Sequence, residues 1–237
     1  MKKVKKIWGA IATILAVAYT AILAPLAALA SLFGEGHGVS PLTRLWSWLI
    51  LRTCGIRATV EGLEHLEGLE SFVLVSNHQS LFDILATVDL IPREIRFVAK
   101  RELRKIPFIG FALDHSGHIV IDRESGGRAI RRAIEVARAG YSICVFAEGH
   151  RFSDNRVHEF NDGAAWLAIA TKLPCIPMAI SGTLALMPRG AKCVTPGGRI
   201  RLTLGKPIAT AGMKSADRVE LTRRLETAVR AAFRSEL

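Results

Sequence analysis

The chain has 237 residues, half of them hydrophobic, and carries 32 Lys and Arg against 21 Asp and Glu, a net charge of +11. That length holds one large domain, or one domain and a membrane segment. The basic excess points to anionic partners such as acidic substrates or a membrane surface. Nucleic acid is the weaker option, since there are two tyrosines, no basic low-complexity tail and no recognisable binding motif. The cysteines at 54, 144, 175 and 193 form no C-x-x-C pair and give neither metal-ligand spacing nor a disulfide framework.

In chain order, Lys2, Lys3, Lys5 and Lys6 precede a run from Ile7 to Phe33 without a charged residue. A run of that length can cross a bilayer core of about 30 Å. Three readings compete: a secretory signal peptide ending near Ala28-Leu29-Ala30, a single span, and a kinked or re-entrant hairpin in one leaflet. Pro25 removes a backbone donor inside the run and favours a break there. The glycines at 34, 36 and 38 form a second break. Residues 41–52 mix Trp46, Trp48, Arg44 and Arg52 with Leu and Ile. They read either as an interfacial amphipathic helix or as a helix docked on the domain. Residues 1–56 are thus expected to form a two-helix membrane-anchoring module, and 57–237 the main domain.

Strand-like runs follow at 58–62, 72–75, 94–99, 117–123, 141–147, 175–181 and 200–204. Helical patterns lie between them, at 84–91, 125–139 and 163–173, with a basic helical start at 100–105 and a final amphipathic helix over 215–237. Strands alternating with helices predict an α/β fold with a largely parallel sheet flanked by helices.

The most informative stretch is Ser76-Asn77-His78-Gln79-Ser80-Leu81-Phe82-Asp83, which joins the second strand to a helix. Inside one helix, five residues of separation would rotate His78 and Asp83 about 140° apart. If the helix starts near Ser80, Asp83 lies in its first turn and can reach back to the imidazole. That is the base and orienter of a triad without its nucleophile, and it suits activation of a hydroxyl brought by the substrate. The competing reading is a capping box, Ser80-x-x-Asp83, with the carboxylate on backbone amides.

Two more polar clusters stand at strand ends: Asp122/Arg123 and Glu148/Gly149/Arg151. The carboxyl ends of parallel strands share an edge, where ligands bind. A base and two arginines imply a substrate with a hydroxyl and an anionic group such as phosphate. Glu148 is placed to pair with Arg151 or Arg123, and Gly149 to let backbone approach an oxyanion.

In this order the residues resemble the glycerolphosphate and lysophospholipid acyltransferases, most of all the 1-acylglycerol-3-phosphate type. Asn77-His78-Gln79-Ser80-x-x-Asp83 is similar to N-H-x-S-x-x-D. Gly117-x-Ile119-x-Ile121-Asp122-Arg123 resembles G-x-(I/F)-x-I-D-R. Phe146-Ala147-Glu148-Gly149-His150-Arg151 resembles F-P-E-G-T-R, and Ile176-Pro177-Met178-Ala179-Ile180 resembles V-P-V-A-I.

The resemblance implies direct transfer of an acyl group from acyl-CoA or acyl-carrier protein to the free hydroxyl of 1-acyl-sn-glycerol 3-phosphate, with no metal or cofactor. It makes His78 and Asp83 catalytic, and it makes Lys100, Arg123, Glu148, Gly149 and Arg151 acceptor-binding. It also implies attachment to the inner membrane at its cytoplasmic face. His150, Ala147, Val120 and Asn161 depart from the family pattern, and they leave other lyso-lipid acceptors, such as a lyso-ornithine lipid, as an alternative. A non-catalytic membrane-associated lipid-binding protein is the alternative from another class.

Overall fold

A computed structural model describes residues 2–30, 39–105, 117–121 and 126–237, with the isolated positions 110 and 113. Seven strands form one sheet: β1 (Arg57–Glu61), β2 (Val73–Ser76), β3 (Ile95–Lys100), β4 (Ile119–Ile121), β5 (Ser142–Phe146), β6 (Cys175–Ser181) and β7 (Arg199–Leu204). Their order is β1-β7-β6-β2-β5-β3-β4. All neighbours pair parallel except β6 and β7, which are antiparallel. The expected largely parallel α/β sheet is present, with a reversed edge formed by β7 and β1.

β2 is central and buried on both faces, which is why its run is continuously apolar rather than alternating. Phe72 and Leu74 face one core, with Cys144, Ile176 and Ile180. Val73 and Val75 face the other, with Ile143, Val145 and Ala179. Helices α1 (Lys2–Ala30), α2 (Val39–Thr53) and α3 (Phe82–Leu90) serve the first core. Helices α4 (Gly126–Arg138), α5 (Gly163–Thr171) and α6 (Arg218–Ala232) cover the second.

Four expectations are adjusted. α1 runs unbroken through Pro25. The proline removes one amide donor, and the Ala- and Leu-rich sequence on both sides carries the helix past it. α3 begins at Phe82, two residues before the expected run, with Asp83 in its first turn. Residues Arg101–Lys105 form a short 3-10 turn, and Lys100 still belongs to β3. The last helix ends at Ala232 and is preceded by a 3-10 turn over Ser215–Asp217. The glycine break near 34–38 and the Asp122/Arg123 pair lie outside the described residues.

α1 lies along the body of the protein. The Trp8 indole donates to Thr53 O at 3.0 Å, and that of Trp46 donates to Thr20 Oγ1 at 2.9 Å, so α1 and α2 run antiparallel. Ala12 is fully buried, while Ile7, Ile11, Ile14, Val17, Ile22 and Leu29 on the outer side are all more than half exposed. Among the described residues α1 alone is long and apolar enough to cross a membrane.

Candidate active site

The sheet decides which residues meet. β2 and β5 are adjacent, with Ser76 opposite Phe146, so the turns that follow them emerge side by side. One carries His78 and the other Glu148.

His78 Nδ1 lies 2.7 Å from Asp83 Oδ2. The same oxygen accepts the amides of Gln79 at 2.7 Å and Ser80 at 2.9 Å. One oxygen thus serves both the imidazole and the backbone amides, while the Asp83 amide donates to Ser80 O, so the reciprocal side-chain bond of a capping box is not made. A carboxylate only accepts, so Nδ1 carries the proton and Nε2 of the neutral ring holds the free lone pair. Phe146 stacks on the imidazole, with centroids 4.0 Å apart and planes 13° from parallel. The ring is thus fixed at its edge and on one face. His78 keeps 15% of its side-chain surface exposed, whereas Asp83 is buried. Ser80 is not free to act as a nucleophile, since its hydroxyl donates to Met187 O at 2.8 Å and accepts from the Phe82 amide at 3.3 Å.

Of the two arginines expected as partners of Glu148, Arg123 lies outside the described residues and Arg151 is not paired with it. Glu148 Oε2 accepts the His78 amide and its Oε1 the His158 amide, each at 2.8 Å. Two backbone donors at fixed positions occupy the carboxylate, so it braces the His78 turn against the 150–160 loop and makes no ion pair with Arg151. Burial pushes the Glu148 carboxyl above the usual value, and the amides of His158 and His78 partly offset this.

Gly149 adopts φ +74°, and a Cβ there would stand 3.1 Å from Asn161 Nδ2. Asn161 is held in place because its side-chain and backbone nitrogens both donate to Ala147 O, at 3.0 and 2.9 Å. Arg151 follows, half-exposed, and Lys100 stands exposed at the end of β3 on the same sheet edge. His150 is exposed, its ring 4.1 Å from that of Phe152, which in turn stacks on His158 at 3.5 Å. Arg123 lies outside the described residues. A cleft lined by Gly117, Arg132, Val136 and Tyr141 lies at the opposite end of β5, away from this chemistry.

Sequence reasoning missed three supports. The Asn77 side chain donates to Ile180 O at 2.9 Å and accepts from Ile180 N at 2.8 Å, locking the turn to β6. Phe146 stacks on the His78 imidazole, and His158 acts through its amide. A backbone amide leaves no side-chain signature, so His158 was not discoverable from sequence. Asn77, directly before the histidine, was.

Fold and site together define an α/β protein with a carboxylate-oriented histidine at the carboxyl edge of its sheet, suited to general-base catalysis. The profile of the Acyltransferase family matches residues 57–181, and the chain belongs to that family. It is 31% identical over 171 residues to a chloroplastic 1-acyl-sn-glycerol-3-phosphate acyltransferase of Brassica napus, covering 70% of this chain and 49% of that one. It is 33% identical over 167 residues to 1-acyl-sn-glycerol-3-phosphate acyltransferase alpha of Mus musculus, covering 69% and 59%. The chain thus spans about half the length of the Brassica relative and somewhat more of the mouse one. The crystal structure of the 1-acyl-sn-glycerophosphate acyltransferase PlsC from Thermotoga maritima matches with a TM-score of 0.80 and 26% identity, covering 96% of this chain and 95% of that one.

Proposed function

We propose that the protein transfers an acyl group from an acyl thioester to the free hydroxyl of 1-acyl-sn-glycerol 3-phosphate, giving phosphatidic acid. The observation that carries this reading is the His78–Asp83 pair: Nδ1 is tied at 2.7 Å and Nε2 left free, while Ser80 is bonded away. Nε2 takes the proton of the acceptor hydroxyl as its oxygen attacks the thioester carbonyl. Asp83 steadies the imidazolium that forms. The tetrahedral intermediate expels thiolate, which recovers the proton from His78. The thioester is already activated, so this route needs no acyl-enzyme, metal or cofactor. Acyl-CoA and acyl-carrier protein are the two donors in view.

On this reading Lys100, Arg123 and Arg151 bind the acceptor's phosphate. Gly149 keeps the backbone open beside it, and Glu148 holds the two turns together. The names of the relatives and the anion-binding residue types at the strand ends support a phosphate-bearing acceptor.

Residues 1–56 act as the membrane anchor, with α1 lying in one leaflet rather than spanning. Two features support this: one side of α1 is occupied by Thr53, Trp46 and Val194, and its outer side is apolar. Trp48, with the Arg52 guanidinium 5.6 Å from its ring centroid, suits the headgroup level. This keeps 57–237 on the cytoplasmic face of the inner membrane, where both donors are found.

The test is an acyl-transfer assay on purified protein with a panel of lyso-lipids. Turnover with lysophosphatidic acid well above lyso-ornithine lipid is expected; absence of transfer to any acceptor would refute the reading. A cysteine introduced at residue 237 and labelled only from the cytoplasmic side is the expected topology result, and labelling only from outside would refute the one-leaflet placement.

A further inference from the structure

α1 is joined to the His78–Asp83 turn by a strap of hydrogen bonds linked through single backbone steps, Val194 to Thr195 and Leu186 to Met187. The missing side chain of Gly9 forms a notch on α1: a Cβ there would stand 2.4 Å from Val194 O. One helical turn on, Thr13 Oγ1 donates to Gly9 O at 2.7 Å and accepts the Val194 amide at 3.0 Å. Both capacities of the hydroxyl are therefore used. Val194 belongs to the loop between β6 and β7, and that loop folds back on itself through Thr195 N to Leu186 O at 2.8 Å. Leu186 and Val194 are buried in the same core as Ala12. The next residue, Met187, offers its carbonyl to Ser80 Oγ at 2.8 Å. Ser80 in turn donates its amide to the Asp83 oxygen that orients His78.

We propose that Thr13 is a positioning residue for the His78–Asp83 turn, acting through the loop between β6 and β7. The seating of α1 then sets the geometry of the base. A helix needed only for attachment requires an apolar outer surface. Here the inner surface has a glycine notch and a hydroxyl placed for one amide of one loop. A valine at 13 keeps the shape and removes the acceptor, leaving the Val194 N–H unpaired in a buried segment.

The test uses the full chain in lipid vesicles and rests on the acyl-transfer reading for its kinetic arm only. Thr13→Val is expected to lower kcat about five-fold with acceptor KM unchanged, a loss of roughly one net hydrogen bond. Thr13→Ser, which keeps the hydroxyl, restores it. Because Thr13 and Ser80 act along one path, Thr13→Val combined with Ser80→Ala should cost no more than the worse single change. Effects that multiply would overturn the proposal, as would a Thr13→Val enzyme with wild-type kcat.

Hydrogen–deuterium exchange over residues 76–84 supplies an arm independent of activity. Faster exchange there in Thr13→Val is expected, and faster exchange confined to 186–195 would refute the coupling. If the acyl-transfer reading itself fails, the wild-type protein is inert on all acceptors, yet the exchange result still decides the strap. Should Thr13→Val not fold, Gly9→Ala fills the notch, displaces Val194 and is read by the same exchange.

Discussion

Asp83 gathers three donors on one carboxylate oxygen: Nδ1 of His78 at 2.7 Å and the amides of Gln79 and Ser80 at 2.7 and 2.9 Å. Orientation of the His78 ring and closure of the turn that precedes α3 therefore rest on one oxygen, and the two fail together. Asp83→Ala should lower stability by about 1–3 kcal/mol for the buried donors left unpaired, besides abolishing turnover. Asp83→Asn retains an acceptor oxygen, so its Tm should fall less while its kcat drops by about 100-fold or more. Thermal unfolding and single-turnover kinetics on both variants check this; equal kcat for Asp83→Asn and wild type would refute the orienting role.

His78→Ala removes the base and leaves the backbone amide that Glu148 holds. The expected outcome is loss of acyl transfer with a native circular dichroism spectrum and little change in unfolding midpoint. Retained activity would rule out His78 as the base.

Gly149→Ala meets two obstacles: a φ of +74° and a contact of 3.1 Å with Asn161 Nδ2. The left-handed conformation alone costs a non-glycine residue about 1–2 kcal/mol. Urea unfolding should register that loss. Displacement of the chain toward Arg151 should also raise acceptor KM.

Arg151→Ala tests the anion site without touching the brace, since Glu148 is bonded to amides instead of this arginine. Acceptor KM should rise about ten-fold or more, the scale of one charge-assisted hydrogen bond. A rise in donor KM with the acceptor unaffected would move Arg151 to the thioester side.

His118 supplies the pH prediction. Its Nδ1 accepts the Phe97 amide at 3.0 Å, which requires that nitrogen unprotonated. Burial, with the Arg96 cation adding to it, lowers the imidazole from 6.5 to about 4. A histidine held below its unfolded value binds its proton less readily when folded, so stability falls as pH drops from 6.5 toward 4. The slope is at most about 1.4 kcal/mol per pH unit. His118→Leu should be less stable at neutral pH, with the Phe97 N–H unpaired, yet flatter across that window. Urea titrations at several pH values decide it, and an unchanged slope would exclude His118 as the source.

All seven strands and the His78–Asp83 contact were legible in the sequence because they are local. Val73–Ser76 announces a doubly buried strand by composition, and five residues separate His78 from Asp83 across one turn. Partners chosen by topology were not legible. Glu148 was read toward an arginine, because charge suggests charge. In the fold, β5 sets it beside two amides with no ion pair to Arg151, and amides look alike in every residue. The seating of α1 was hidden for the same reason: Gly9 and Thr13 look unremarkable within an apolar run until the loop carrying Val194 is placed against them. Pro25 was read as a break because its local cost is plain, while the helix-forming sequence around it carries the chain through.

The brace made by Glu148 limits how this protein can be remodelled. Its two oxygens are shared between the turn that holds His78 and the loop that carries Arg151. Replacing residues 150–160 with those of a relative, to graft a new acceptor preference, would exchange one of the two amides that hold Glu148. The transplanted loop would tug on the His78 turn through that carboxylate. The 150–160 loop and the turn at 76–83 are therefore mechanically linked, and a swap of the first should be made together with the second.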